Sequence, residues 1–133
     1  MQEAMEYNNE EKQKGEDFEI QFYEGVLKNN PDFVEALVIL GDLYTKKGWY
    51  EKGLAVDQHL LHLRPQDPYV LYNLACSYSL LNNIDQAFNI MKMAVESGYG
   101  NFDYLKQDPD LANLREHQHF QDYLSKRQKS RDV

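Results

Sequence analysis

The sequence predicts an all-α chain built as a stack of antiparallel helix pairs. The first observation is an internal repeat, because Pro31-Asp32-Phe33 lies over Pro65-Gln66-Asp67 at an offset of 34 residues. The blocks that follow match in kind: Leu37, Leu40, Gly41 and Tyr44 fall on Leu71, Leu74, Ala75 and Tyr78. After a short break Gly53 aligns with Ala87, Asp57 with Met91, and Leu60 with Ala94. The second observation is the spacing inside each block. Leu37, Leu40, Tyr44 and Leu71, Leu74, Tyr78 recur at three and four, the interval of one buried helix stripe. The third is composition: 133 residues, 42% hydrophobic with 10 Tyr and 6 Phe, suffice for one domain with a packed core.

The elements follow in order. Residues 1–14 show no apolar stripe and read as an acidic, disordered arm, within a head (residues 1–24) that holds eight acids and two Lys. Residues 15–30 read as one helix, with Ile20, Tyr23, Val26 and Leu27 as its apolar face. Residues 31–65 form the first full helix pair, opened by Asp32 and Glu35 as a capping box and divided at Gly48. Residues 66–98 form the second. Asp67-Pro68 opens it as an N-cap with proline at the first helical position, and Asn82-Asn83 divides it with residues that tolerate positive φ. Residues 99–128 carry Phe102, Leu105, Leu111, Leu114, Phe120 and Leu124 as a continuing stripe, broken at Asp108-Pro109, where a new short helix starts. Residues 129–133 are a basic tail, the end of a segment (112–133) with three acids and five bases.

Taken together, Leu37, Leu40-Gly41, Tyr44, Gly53 and Pro65, then Leu71, Leu74-Ala75, Tyr78, Ala87 and Ala94, resemble the tetratricopeptide repeat family. The resemblance is clear over residues 31–98 and looser over 15–128. It departs from the family at Asp57, where a large apolar residue is usual, at Leu60, where Ala is usual, at Tyr99, where a closing proline is expected, and at Glu19. The resemblance implies a right-handed α-solenoid, with Gly41 and Ala75 allowing close helix approach and residues 99–128 as degenerate capping helices that cover the last full repeat. It also implies a non-enzymatic adaptor or scaffold that binds a protein or peptide segment on its concave side.

In such a stack the first helix of each pair lines the concave groove. Positions outside the packing stripe would then be Glu35, Val38, Ile39, Asp42, Thr45 and Lys46, followed by Tyr69, Tyr72, Asn73, Cys76, Ser79 and Leu80. The partner-binding set drawn from these is Glu35, Val38, Ile39, Asp42, Tyr69, Tyr72, Asn73 and Cys76. Rigid tyrosines and aliphatics with an acidic lip suit a neutral to basic peptide, although the same residues could simply be solvated. One subgroup of the family grips the C-terminal carboxylate of heat-shock chaperones with Lys and Asn from one repeat and Asn from the next. Asn73 matches that pattern, but Val38 and Asp42 stand at the first-repeat positions, and Asp42 would repel a carboxylate. The competing reading is a homo-oligomer, in which an under-capped apolar end packs against a second copy.

Composition excludes several other functions. With 14 basic and 22 acidic residues the formal charge is −8 at pH 7, which disfavours nucleic acid. The longest purely apolar run, Ala36 to Leu40, cannot span a bilayer, and residues 1–18 hold no signal-peptide core. A single Cys, Cys76, forms no internal disulfide and fits a reducing compartment, so the expected location is the cytoplasm. His59 with His62, and His117 with His119, are separated pairs without a Cys partner, which reads as surface histidine rather than a metal site. Cys76 has no adjacent His to activate it, and the seven Gly form no phosphate loop. No cofactor, metal or catalytic residue is expected. Trp49 reads either as an exposed anchor on the convex side or as packing across its turn, and Met91 as core with Met93 on its flank.

Overall fold

The computed structural model describes the backbone of residues 2–132 and the side chains of residues 8–131. Among the described residues there are eight α-helices, one 3-10 turn and no strand. Helices α2 (Val34–Lys46) and α3 (Tyr50–Leu63) form the first antiparallel pair, and α4 (Pro68–Leu80) and α5 (Ile84–Glu96) form the second. Before them runs α1 (Gln2–Asn29), and after them a cap of α6 (Phe102–Leu105), the 3-10 turn Pro109–Leu111, α7 (Ala112–Arg115) and α8 (Gln118–Asp132). The chain is an all-α solenoid.

Each turn has a local cause. Gly48 and Asn82 adopt φ of 77° and 60° between the helices of their pairs, and Gly98 adopts 114° after α5. These left-handed values let the chain reverse immediately after a helix. Asp67 caps α4 as the sequence predicts, accepting from the Tyr69 and Val70 amides, with Pro68 at the start. Asp32 does not act as the expected capping box. Phe33 is the N-cap of α2 without a side-chain bond, and the Asp32 carboxylate lies 2.9 Å from His59 Nε2 on α3 instead. A cross-helix partner has taken the acceptor that the local pattern assigned to the helix start.

Packing follows the predicted stripe. Leu37, Leu40, Tyr44, Leu71 and Leu74 are buried, and Tyr78 is half-buried with its hydroxyl accepting from the Gln58 amide. Gly41 has a specific reason to be small: a Cβ there would lie 3.3 Å from Val56 Cγ1 and 3.4 Å from Asp57 Oδ1. Ile20 of α1 is buried against Leu40, Leu43 and Tyr44 of α2. The Tyr44 hydroxyl donates to Glu24 at 3.1 Å, and burial together with that carboxylate pushes its pKa up to about 12. The largest core cluster joins α4 and α5 to the cap, with Leu71, Met91, Leu105, Leu111, Leu114 and Phe120 almost wholly enclosed.

One further expectation differs from what is observed. The acidic segment 1–14 is not a disordered arm: α1 begins at Gln2 and runs unbroken through it, and the Gln13 carbonyl, Glu16 and Asp17 all meet Lys47. Glu, Lys, Gln, Ala and Met are strong helix formers, so this stretch propagates the helix that Ile20 anchors. Residue 1 lies outside the described residues. The tail 129–133 is likewise helical, continuing α8 to Asp132, and Arg131 reaches the Gly100 carbonyl and lies over the Phe102 ring; Val133 lies outside the described residues. Trp49 is 42% exposed, with its ring 6.0 Å from Tyr44 and the Lys52 ammonium 5.0 Å above it.

Candidate partner-binding groove

The concave side is built by α2 and α4, with the cap closing one end. Val38, Ile39, Asp42 and Thr45 come from α2, while Tyr72, Asn73, Cys76 and Leu80 come from α4. Tyr104, Asp108 and Asp110 enter from the cap, and Asp57 and Leu60 of α3 form part of the floor. The groove has a volume of about 370 Å³.

Six of the eight residues assigned from sequence line this one groove: Val38, Ile39, Asp42, Tyr72, Asn73 and Cys76. Glu35 and Tyr69 do not. They sit exposed in the first turns of α2 and α4, with the Tyr69 ring 6.1 Å from Tyr99. Val38 and Ile39 are 44% and 37% exposed, an apolar strip that the fold leaves open. Asn73 is exposed as well, while Thr45 is half-buried with its hydroxyl bonded to the Gly41 carbonyl.

Tyr72 is the main correction, since sequence left it free to meet a partner. It is buried, its ring stacks on Tyr99 at 4.3 Å and 14°, and its hydroxyl donates to Asp108 Oδ2 at 2.6 Å. Cys76 is buried beside it with Sγ 3.8 Å from the same oxygen, and burial and the Asp108 carboxylate push its thiol well above the ordinary range. Both side chains face the groove but are already engaged with the cap. Ser79 is similar: it is fully enclosed, its Oγ accepts from the Leu114 amide, and its carbonyl accepts from the Asn113 side chain.

The electrostatics of the groove are one-sided. Asp42, Asp57, Asp108 and Asp110 line it, and among the described residues no Lys, Arg or His does. Lys46 pairs with Asp42 at 3.1 Å, but both side chains are more than half exposed, which makes this a weak tie. Burial, then Asp108 and Asp42, raise the pKa of Asp110. The Asp108 carboxylate is the first cause of the raised pKa of Tyr104, which is 52% exposed. Burial pushes Asp57 up to about 6, partly offset by the hydrogen bond it accepts from the Ser77 hydroxyl at 2.5 Å. Each shift has the same origin, negative charge held in a partly dry concavity.

Sequence reasoning missed the cap's contribution. Asp110 lies one 34-residue period beyond Cys76, which itself lies one period beyond Asp42. Carrying the offset one step further would have placed it in the groove. Among the described residues no three His, Cys, Asp or Glu converge on one metal position, and no helix is long and apolar enough to cross a membrane.

Three comparisons bear on this arrangement. Residues 68–97 match the tetratricopeptide repeat family model. Over 84 residues the chain is 33% identical to a chloroplastic protein of Arabidopsis thaliana, a match that covers 61% of this chain and 25% of that protein. The chain thus spans about a quarter of that relative's length. Among solved structures it is similar to MamA, with a TM-score of 0.67 at 23% identity over 84% of this chain and 66% of that one. It is also similar to the fragment of MamA from Desulfovibrio magneticus RS-1 that begins at residue 41, with a TM-score of 0.60 at 18% identity over 86% and 67% of the two chains. At such identities the likeness is one of fold.

Proposed function

We propose that this chain, which matches the tetratricopeptide repeat family over residues 68–97, is a protein-interaction module and acts as a non-enzymatic adaptor holding a peptide or protein segment in its concave groove. The observation that carries this reading is the exposed strip of Val38 and Ile39 beside Asn73. These side chains face the groove and take no part in closing the core. Aliphatic surface flanked by an amide able to hydrogen-bond a peptide backbone is a recognition surface. The acidic rim favours a neutral to basic segment over an acidic one.

The test compares wild type with Val38→Gln/Ile39→Gln in capture of partners from the source cell. Both positions are open, so the fold tolerates the change. A partner held by wild type and lost by the double variant supports the groove, whereas equal capture by both sinks it.

A second reading has its own observation. On α1, Phe18 and Phe22 are 71% and 56% exposed one helical turn apart, an apolar edge at the uncapped end of the array. A second copy packing there would make the module self-assemble. Sedimentation across a range of concentrations tests it: association that Phe18→Asp/Phe22→Asp abolishes supports the reading, and a monomer throughout removes it.

A further inference from the structure

We propose that the segment accepted by this groove carries a lysine or arginine next to an aliphatic side chain, the cation seating against Asp42 and Asp110 and the aliphatic group against Val38 and Ile39. This rests on the groove being the binding face, and it specifies what the groove reads.

The groove lining holds two chemically distinct sets of side chains. Val38, Ile39 and the half-buried Leu80 are apolar, while Asp42, Asp108 and Asp110 are anionic. With about 370 Å³, near the lower end of the ~300–1,000 Å³ of ordinary ligand pockets, it suits a few side chains and not a folded surface.

The anionic side chains have little internal compensation. Asp108 is 4% exposed, and its carboxylate is held by the Tyr72 hydroxyl, the Cys76 thiol and the Asp110 amide, all neutral donors. Arg115 is the nearby cation, and it bonds the Asp108 backbone carbonyl instead of the carboxylate. The half-buried Asp110 side chain takes no hydrogen bond or ion pair from the described residues. Lys46 pairs with Asp42 only on the exposed side. A partner's ammonium or guanidinium would meet carboxylates already partly stripped of water, where a charge pair is stronger than at an open surface. Tyr104, exposed at the same corner, offers a ring face to that cation. An acidic peptide or a phosphate would meet repulsion from three carboxylates at once, so the same groups that select a cation reject these ligands.

The experiment selects a random peptide library displayed on phage against the intact chain. The enriched peptides are then measured by fluorescence anisotropy against wild type, Asp42→Asn/Asp110→Asn and Val38→Gln/Ile39→Gln. Neither Asp42 nor Asp110 holds the fold through its side chain, and circular dichroism on heating confirms that each variant remains folded. The expected result is enrichment of a lysine or arginine beside an aliphatic residue. Affinity should fall about 10-fold or more in Asp42→Asn/Asp110→Asn, with no further loss when the peptide's cation is replaced by norleucine in that background. Peptides that lack a cation, bind both aspartate forms equally and are lost on Val38→Gln/Ile39→Gln overturn this inference and leave the groove reading standing. Peptides indifferent to both double variants, or no enrichment at all, overturn both.

Discussion

Tyr72 donates its phenolic proton to Asp108 across 2.6 Å, and that bond ties the first helix of the second repeat to the C-terminal cap. The same tyrosine ring stacks on Tyr99 just after α5, so one side chain joins three segments. Removing only the hydroxyl leaves a buried carboxylate short of a donor. Tyr72→Phe is therefore expected to lower stability by about 1–3 kcal/mol. Urea unfolding with an unchanged slope and a lower midpoint is the predicted outcome. An unshifted midpoint would show that the bond contributes nothing.

Asp57 gives the chain a pH dependence of definite sign. Its carboxyl titrates near 3.8 when unfolded and at about 6 when folded, so between those values the folded state keeps a proton that the unfolded state has lost. Its contribution is fully present below pH 4 and is lost as pH rises through 6, a fall of about 3 kcal/mol for a shift of this size. Asp57→Asn retains an acceptor for the Ser77 hydroxyl without the buried charge. Stability curves from pH 4 to 7 should show the variant flatter than wild type across this window and more stable at pH 7.

Gly41 sets the distance between α2 and α3. A Leu there would drive its side chain into Val56 and Asp57, where a Cβ alone already comes within 3.3 and 3.4 Å. Gly41→Leu should cost about 1–3 kcal/mol through overpacking. Thermal melting checks this; a variant as stable as wild type would mean that the pair can open without loss.

The cap is a part of the core, not an accessory to it. Leu105 and Leu114 are each 0% exposed within the cluster formed with Leu71 and Met91. Either Leu→Ala is expected to destabilise the chain by about 2–5 kcal/mol. Hydrogen exchange should show the added opening in α4 and α5 as well as in the cap. Confinement of the effect to residues 99–132 would mean that the cap folds as a separate unit.

How much of this was legible beforehand depended on the range of the interaction. Leu37, Leu40, Leu71 and Leu74 announce themselves because a helix stripe repeats every three or four residues, and the turns at Gly48 and Asn82 because positive φ has a short list of tolerant residues. The resemblance to the tetratricopeptide repeat family rests on the 34-residue offset and the residue sizes that recur with it. What was missed comes from contacts between distant elements. Asp32 reads locally as a cap, but His59, 27 residues on, takes its carboxylate. Tyr72 reads as groove-facing, which it is, but only the position of Asp108 reveals that it is already occupied. Asp110 was accessible in principle, one period past Cys76, but the break at Asp108-Pro109 disguised the continuing period. Residues 1–14 lack an apolar stripe, yet stripes report burial, and a helix built on propensity beyond a buried anchor needs none.

That long first helix has a mechanical consequence. Lys47, at the end of α2, meets α1 at Gln13, Glu16 and Asp17, and the helix runs on from that contact back to Gln2. At 1.5 Å per residue that stretch is about 17 Å long. A force applied to its outer end would act as torque about the Lys47 contact. It would be felt first where α1 packs on Leu40 and Tyr44, the helix that also carries Val38 and Ile39 into the groove.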